Sequence, residues 1–212
     1  MSSKQYNRPL YWDDALKHLN QKDRIISNLI LEYKSKLFLK KSKSAFNTLF
    51  KIIIGQQISI EAASAIENRI KEKIGRISHV TILNINHEKL RECGLSYRKV
   101  EYIKGIADLI SKDPKYFSRL RKLSDSDSIS ELKMLYGIGQ WSAEMFLIFY
   151  FNRSNILPTG DIGLINSFCR NYKVSRDSFL TIIERYRDIW SPYCTVATWY
   201  LWRDIDEDVV QY

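Results

Sequence analysis

Apolar side chains recur at three- and four-residue intervals along almost the whole chain, and this spacing constrains the fold more than any single motif. Ile25, Leu29 and Tyr33 form one such set, as do Phe46, Leu49, Phe50 and Ile53; Ala62, Ala65, Ile66 and Ile70 form a third, and Val100, Ile103, Ile106, Ala107 and Ile110 a fourth. Strand-like alternation is scarce. Only residues 79–85 hold a β-branched run, and Asn84, Asn86 and Glu88 then read as the approach to another helix. The pattern predicts an all-α fold. Breaks near residues 40–44, 75–78, 93–96, 113–114, 124–128, 152–160 and 172–175 cut it into about ten helices, with no repeat of fixed period. The Ser- and Asp-rich stretch at 124–130 reads as a hinge inside one domain spanning 1–212. It would separate a helical half over 40–125 from a second half over 126–212, with residues 1–39 packed on the latter.

Hydrophobic residues make up 45% of the 212 and charged residues 27%, the balance of a chain that folds throughout. Lys and Arg number 33 against 24 Asp and Glu, a net charge of +9 that attracts polyanions. Nucleic acid is one partner class this implies; a basic surface kept for solubility fits equally. Cys93, Cys169 and Cys194 are odd in number and widely spaced, unlike a disulfide framework or a metal-ligand set. His18, His79 and His87 add no metal-binding spacing. The N-terminus has no apolar leader and no run is long enough to span a membrane, so the expectation is an intracellular monomer, in the cytoplasm or nucleoid, or in the nucleus of a eukaryote.

The chemistry concentrates in four segments. In Glu131-Leu-Lys-Met-Leu-Tyr-Gly-Ile-Gly-Gln-Trp-Ser-Ala-Glu-Met-Phe-Leu-Ile-Phe-Tyr150, two apolar helices flank a turn in which Gly137 and Gly139 permit unusual backbone geometry and Ile138 anchors the core. Free amides at Gly139 and Gln140, opening the second helix, favour an anion such as a phosphate. A plain interhelical turn has the same local signature. Next, Pro158 and Gly160 tighten a loop ahead of Asp161, which opens an apolar helix; N-capping alone would account for an Asp there. The third segment, Gly55-Gln-Gln-Ile-Ser-Ile-Glu-Ala-Ala63, joins two helices through Gln56 and Gln57, with Ser59 placed to cap the second. The last, Trp190-Ser-Pro-Tyr-Cys-Thr-Val-Ala-Thr-Trp-Tyr-Leu-Trp202-Arg203, is dense in aromatics.

Together these segments resemble the helix-hairpin-helix DNA glycosylase superfamily with its Gly-Pro-Asp loop, and within it the 3-methyladenine DNA glycosylase II branch. Asp161 lies 22 residues beyond Gly139, the superfamily's spacing from hairpin to catalytic Asp. Tyr136 stands where the family usually has Pro, and Cys194 where an Arg is common. The resemblance runs from about Phe46 to Arg203 and implies two packed helical subdomains with the active-site cleft between them. It implies an enzyme that flips an alkylated purine (3-methyladenine, 7-methylguanine) from double-stranded DNA and hydrolyses its N-glycosidic bond. Asp161 would be the catalytic carboxylate; Gly137, Ile138, Gly139 and Gln140 the phosphate-binding hairpin; Gln56 and Gln57 the turn that fills the gap; Trp141, Tyr193 and Trp190 the aromatics facing the base. Trp199 and Trp202 read as core. Gln140 and Trp141 occupy the stretch where strand-cutting relatives carry a Lys, so hydrolysis without lyase chemistry is implied. No cofactor is needed, although an alkali ion on the Leu135 and Ile138 carbonyls occurs in the family. In Gly94-Leu-Ser-Tyr-Arg-Lys-Val100, Arg98 or Lys99 could touch phosphate, or simply open a solvated helix. Two alternatives stay open: a glycosylase for uracil or a mismatched base, and a non-catalytic hairpin module that only holds DNA.

Overall fold

The computed structural model describes residues 8–33 and 38–205, and among them it holds thirteen α-helices and no strand. In chain order these are α1 (Trp12–Lys22), α2 (Arg24–Glu32), α3 (Ala45–Gly55), α4 (Ile60–Ile74), α5 (His79–Asn84), α6 (His87–Glu92), α7 (Tyr97–Lys112) and α8 (Tyr116–Leu120). There follow α9 (Asp125–Lys133), α10 (Gln140–Phe146), a π-helical turn (Leu147–Phe151), α11 (Ile162–Tyr172), α12 (Phe179–Trp190) and α13 (Cys194–Arg203). No described helix is long and apolar enough to cross a membrane. The count exceeds the ten or so read from periodicity because three helices, α5, α6 and α8, are too short to carry a long apolar stripe, and two of them are capped by side chains instead. The β-branched run is α5: the Ser78 hydroxyl accepts from the Thr81 amide while the Thr81 side chain returns to Ser78, a reciprocal cap that outweighs β-propensity. Asn86 caps α6 by accepting from the Lys89 amide at 2.9 Å.

The chain forms two compact units, one built from the described parts of Met1–Lys41 and Leu147–Gln211, the other from Ser42–Phe146. This corrects the division at residue 125. The Ser- and Asp-rich stretch is the first turn of α9, where Ser124 caps the helix, Asp125 and Asp127 sit at its positive end, and the buried Ser128 hydroxyl donates to the Leu120 carbonyl. It is no hinge. The hairpin therefore belongs with the Gln-Gln turn: α10 packs on both α9 and α3, and α7 packs on α3, α5 and α6. Leu49, Ile52, Ile53, Val100 and Ile103 form the buried middle of this unit.

In the other unit, α1 packs on α2, α12 and α13, and α2 packs on α13. Of the N-terminal segment expected to join this half, residues 1–7 and 34–37 lie outside the described residues. Trp12 packs edge-on against Trp199 with ring centres 5.1 Å apart, and both are buried. Asp23 ties three helices together. One carboxylate oxygen caps α2 at the Ile25 and Ile26 amides, and the other accepts from the Tyr172 hydroxyl at 2.6 Å and the Trp190 indole at 2.8 Å. Burial and the adjacent Asp23 carboxylate push the Tyr172 phenol well above its ordinary range, so it stays a donor.

Asp204, just past α13, closes the same unit. Its Oδ2 accepts from Ser167 at 2.8 Å, Asn171 at 2.6 Å and Arg170 at 2.5 Å. Burial pulls its carboxyl upward, but the hydrogen bonds from Arg170, Ser167 and Asn171 outweigh this and hold it below the usual carboxylate range. A depressed native pKa contributes stability above the unfolded value near ~3.9, and that contribution disappears as pH falls through the lower native value. Unfolding free energy should thus drop on acidification below about pH 4. Asp204→Ala should cost about 2 kcal/mol at neutral pH and flatten that acid slope, measured by urea unfolding across pH. An unchanged slope would remove Asp204 from the linkage.

Candidate active site

The hairpin is built by short backbone bonds that leave glycine no substitute at one position. The Leu135 amide donates to Leu132 and the Ile138 amide to Leu135, both at 3.0 Å. Gly137 then takes a φ of +86°, and a Cβ placed on it would lie 2.2 Å from the Tyr102 ring. Ile138 is buried and holds the turn down, while Gly139 and Gln140 are exposed. A Cβ on Gly139 would meet nothing within 4 Å, so the chain is open to a close approach there. The amides that begin α10 have no acceptor inside the helix, which suits an anion. The Gln140 side chain contributes little to that: its amide donates to Glu144 at 2.8 Å and its oxygen accepts from Lys133 at 3.3 Å.

The Gln-Gln turn divides its two residues between different tasks, which corrects part of the expectation. The Gln56 side chain donates to the Gly137 carbonyl at 2.9 Å and to the Ser142 hydroxyl at 3.0 Å, so it binds the turn to the hairpin and fills no gap. Gln57 is exposed and adopts a φ of +60°, an unusual backbone state for a residue with a Cβ. Lys99 is also reassigned. Its ammonium donates to the carbonyls of Ile54 and Gln56, both at 2.7 Å, closing the C-terminus of α3, and burial lowers its pKa below the ordinary lysine value. Arg98 remains exposed. Ser59 caps α4 through the Ala62 amide.

Asp161 opens α11 and caps it. Its Oδ1 accepts from the Leu164 amide at 2.7 Å and from the Trp202 indole N–H at 2.7 Å. The loop before it is drawn tight, with the Asp161 amide donating to the Pro158 carbonyl at 2.9 Å, and the side chain is only partly exposed. Trp202 lies nearly parallel to Phe149, 9° between planes and 5.9 Å between centres. Gly163 leaves room for this arrangement: a Cβ there would sit 3.1 Å from Asp161 Oδ1 and 3.2 Å from the Trp202 ring.

Periodicity had placed Trp202 in the core, because one helix face in α13 carries Trp199, Trp202 and other large side chains. The available signal was Gly163, an otherwise costly glycine inside an apolar helix, which marks a close approach. Trp190 moves the opposite way. It is fully buried and its indole N–H is held by Asp23, so it cannot present a face to a base. Tyr193 is half-buried at the start of α13 with its ring edge-on to His18, and Trp141 is half-buried in the first turn of α10. Both residues are partly exposed. Among the described residues no cluster of three or more His, Cys, Asp or Glu could hold a metal ion.

A family model described as HhH-GPD superfamily base excision DNA repair protein matches residues 50–192, a span that contains the Gln-Gln turn, the hairpin and Asp161. This chain belongs to that superfamily. Within the HhH-GPD superfamily, a relative named DNA-3-methyladenine glycosylase 1 from Schizosaccharomyces pombe is 29% identical over 192 residues, 89% of this chain and 84% of that protein. A putative DNA-3-methyladenine glycosylase from Bacillus subtilis is 27% identical, covering 96% of this chain and 74% of its own length. Solved HhH-GPD structures agree. A DNA-3-methyladenine glycosidase from Bacillus halodurans matches with a TM-score of 0.72 at 31% identity, covering 89% of this chain and 88% of that one. A Schizosaccharomyces pombe 3-methyladenine DNA glycosylase in complex with abasic DNA matches with a TM-score of 0.77 at 28% identity, over 90% and 95% of the two chains.

Proposed function

We propose that this protein is a monofunctional base-excision glycosylase that removes alkylated purines of the 3-methyladenine and 7-methylguanine class from duplex DNA. The observation that carries the reading is Asp161: a partly exposed carboxylate at the open end of a helix, held by two donors on one oxygen, in a chain whose relatives bear the name DNA-3-methyladenine glycosylase. The hairpin amides at Gly139 and Gln140 would take a backbone phosphate, and the net charge of +9 favours the polyanion at long range. Extrusion of a nucleotide leaves a gap in the stack, and Gln57, exposed in its turn, would enter it.

The chemistry asks little of the leaving group. An alkylated purine already carries positive charge, so when the N-glycosidic bond breaks its electron pair neutralises the base and the positive charge passes to the sugar. The Asp161 carboxylate would stabilise that oxocarbenium-like state, and water then adds to the anomeric carbon and loses a proton. No general acid is required. Trp141 and Tyr193, each partly exposed in its own unit, are the candidates left for stacking on a cationic base once Trp190 is assigned to the core. With Gln140 and Trp141 beginning α10, no lysine stands there to form a Schiff base. An alkali ion on the Leu135 and Ile138 carbonyls belongs to the same reading. The donor chemistry fits a hard cation: the Leu135 oxygen accepts from the Ile138 amide and a carbonyl retains a second lone pair.

Incubation with methylated duplex DNA tests this directly. Chromatography should detect free 3-methyladenine and 7-methylguanine, and the strand should break only after alkali treatment. Release of uracil from a uracil-containing duplex without release of methylated purines would overturn the substrate assignment. Binding without any base release would leave a hairpin module.

A further inference from the structure

Trp202 lies beyond the span that the family model matches, and its side chain reaches back to the acid. Its indole N–H and the Leu164 amide both end on Asp161 Oδ1 at 2.7 Å. The indole cannot swing away easily, because Phe149 lies parallel to one of its faces and the bare Cα of Gly163 lets the ring sit close to α11, where a Cβ would lie 3.2 Å from it. A carboxylate with two donors on one oxygen has its plane and rotamer set before substrate arrives. Leu164 alone would fix the distance of Oδ1 from the helix, whereas two donors from different helices fix its rotation as well.

We infer that Trp202 is a positioning residue for Asp161, with Gly163 and Phe149 holding the indole in place. The inference rests on the reading of Asp161 as the catalytic carboxylate. The energetic logic is pre-organisation: a group already aimed at the developing charge spends nothing on reorientation at the moment of bond cleavage. Substrate affinity draws on other residues, so the effect belongs in the rate of the chemical step.

The test replaces only the N–H. Trp202 is substituted by benzothienylalanine, which keeps the bicyclic shape and puts sulfur where the indole nitrogen was, with Trp202→Phe as the genetically simple companion. Single-turnover excision should slow by about tenfold to a hundredfold, while the dissociation constant for duplex bearing an abasic analogue stays within about twofold. Gly163→Ala supplies an opposed signature. Alanine favours the helix, so thermal stability should hold or rise, yet the added methyl crowds Oδ1 and the indole and excision should slow several-fold. Equal excision rates in the wild-type and benzothienylalanine proteins would overturn the positioning role, as would rate losses matched by equal losses in binding. The indole N–H resonance of Trp202 separates the two readings. If it shifts upfield on Asp161→Ala and the wild-type protein excises nothing, the contact to Asp161 stands and the glycosylase reading falls; if it does not move, the contact itself falls.

Discussion

Asp161→Asn should leave the protein folded, able to hold DNA and unable to excise. Asparagine is nearly isosteric, and its oxygen can still accept from the Leu164 amide and the Trp202 indole, so the cap on α11 and the packing around it survive. The full negative charge is lost. Stabilisation of an oxocarbenium-like state by a fixed carboxylate is a large electrostatic effect, and its removal should slow base release by at least about a thousandfold, roughly 4 kcal/mol of barrier. Affinity for a duplex carrying an abasic analogue should change by no more than a few-fold. Measured base release at a comparable rate in both proteins would take Asp161 out of the mechanism.

The second large effect is expected at Gly137. A left-handed φ of +86° costs any residue with a Cβ, and here the Cβ would overlap the Tyr102 ring at 2.2 Å. Neither Tyr102 nor the turn can yield cheaply, since Ile138 is buried beside it and Gln56 holds the Gly137 carbonyl. Gly137→Ala should therefore lower stability by about 2–4 kcal/mol and weaken binding to damaged and undamaged duplex alike, by tenfold or more. Gly139→Ala is the informative partner. Nothing lies within 4 Å of its would-be Cβ, so the melting temperature should stay put while the methyl obstructs the approach of a phosphate. A loss confined to damaged DNA in either variant would contradict a backbone-gripping role.

What could be read from the chain alone was what depends on near neighbours in sequence. The helical repeat, the caps at Ser59 and Asp161, and the glycine turn all follow from residues within a few positions of one another. The failures share another cause. Whether Trp190 or Trp202 faces outward depends on which helix packs across it, and Asp23 and Asp161, 167 and 41 residues away respectively, decide the outcome. Lys99 reads as a solvent-facing cation until α3 ends beside it with bare carbonyls. The misplaced division at residue 125 has the same origin. Ser and Asp are as characteristic of a helix start as of a linker, and only the packing of α10 on α3 shows which unit owns the hairpin.

The brace made by Gln56 and Lys99 has a consequence for how a duplex would be searched. One end of Gln56 is bonded to the hairpin through its side chain, and its own carbonyl is secured by the Lys99 ammonium. Gln57, the next residue, thus cannot advance or withdraw independently of Gly137. If the hairpin grips a phosphate as proposed, Gln57 would then stand at a fixed distance from that grip, like the fixed jaw of a caliper. Such an instrument would sample every step of the helix with one gauge, leaving selectivity to whichever side chains meet the extruded base.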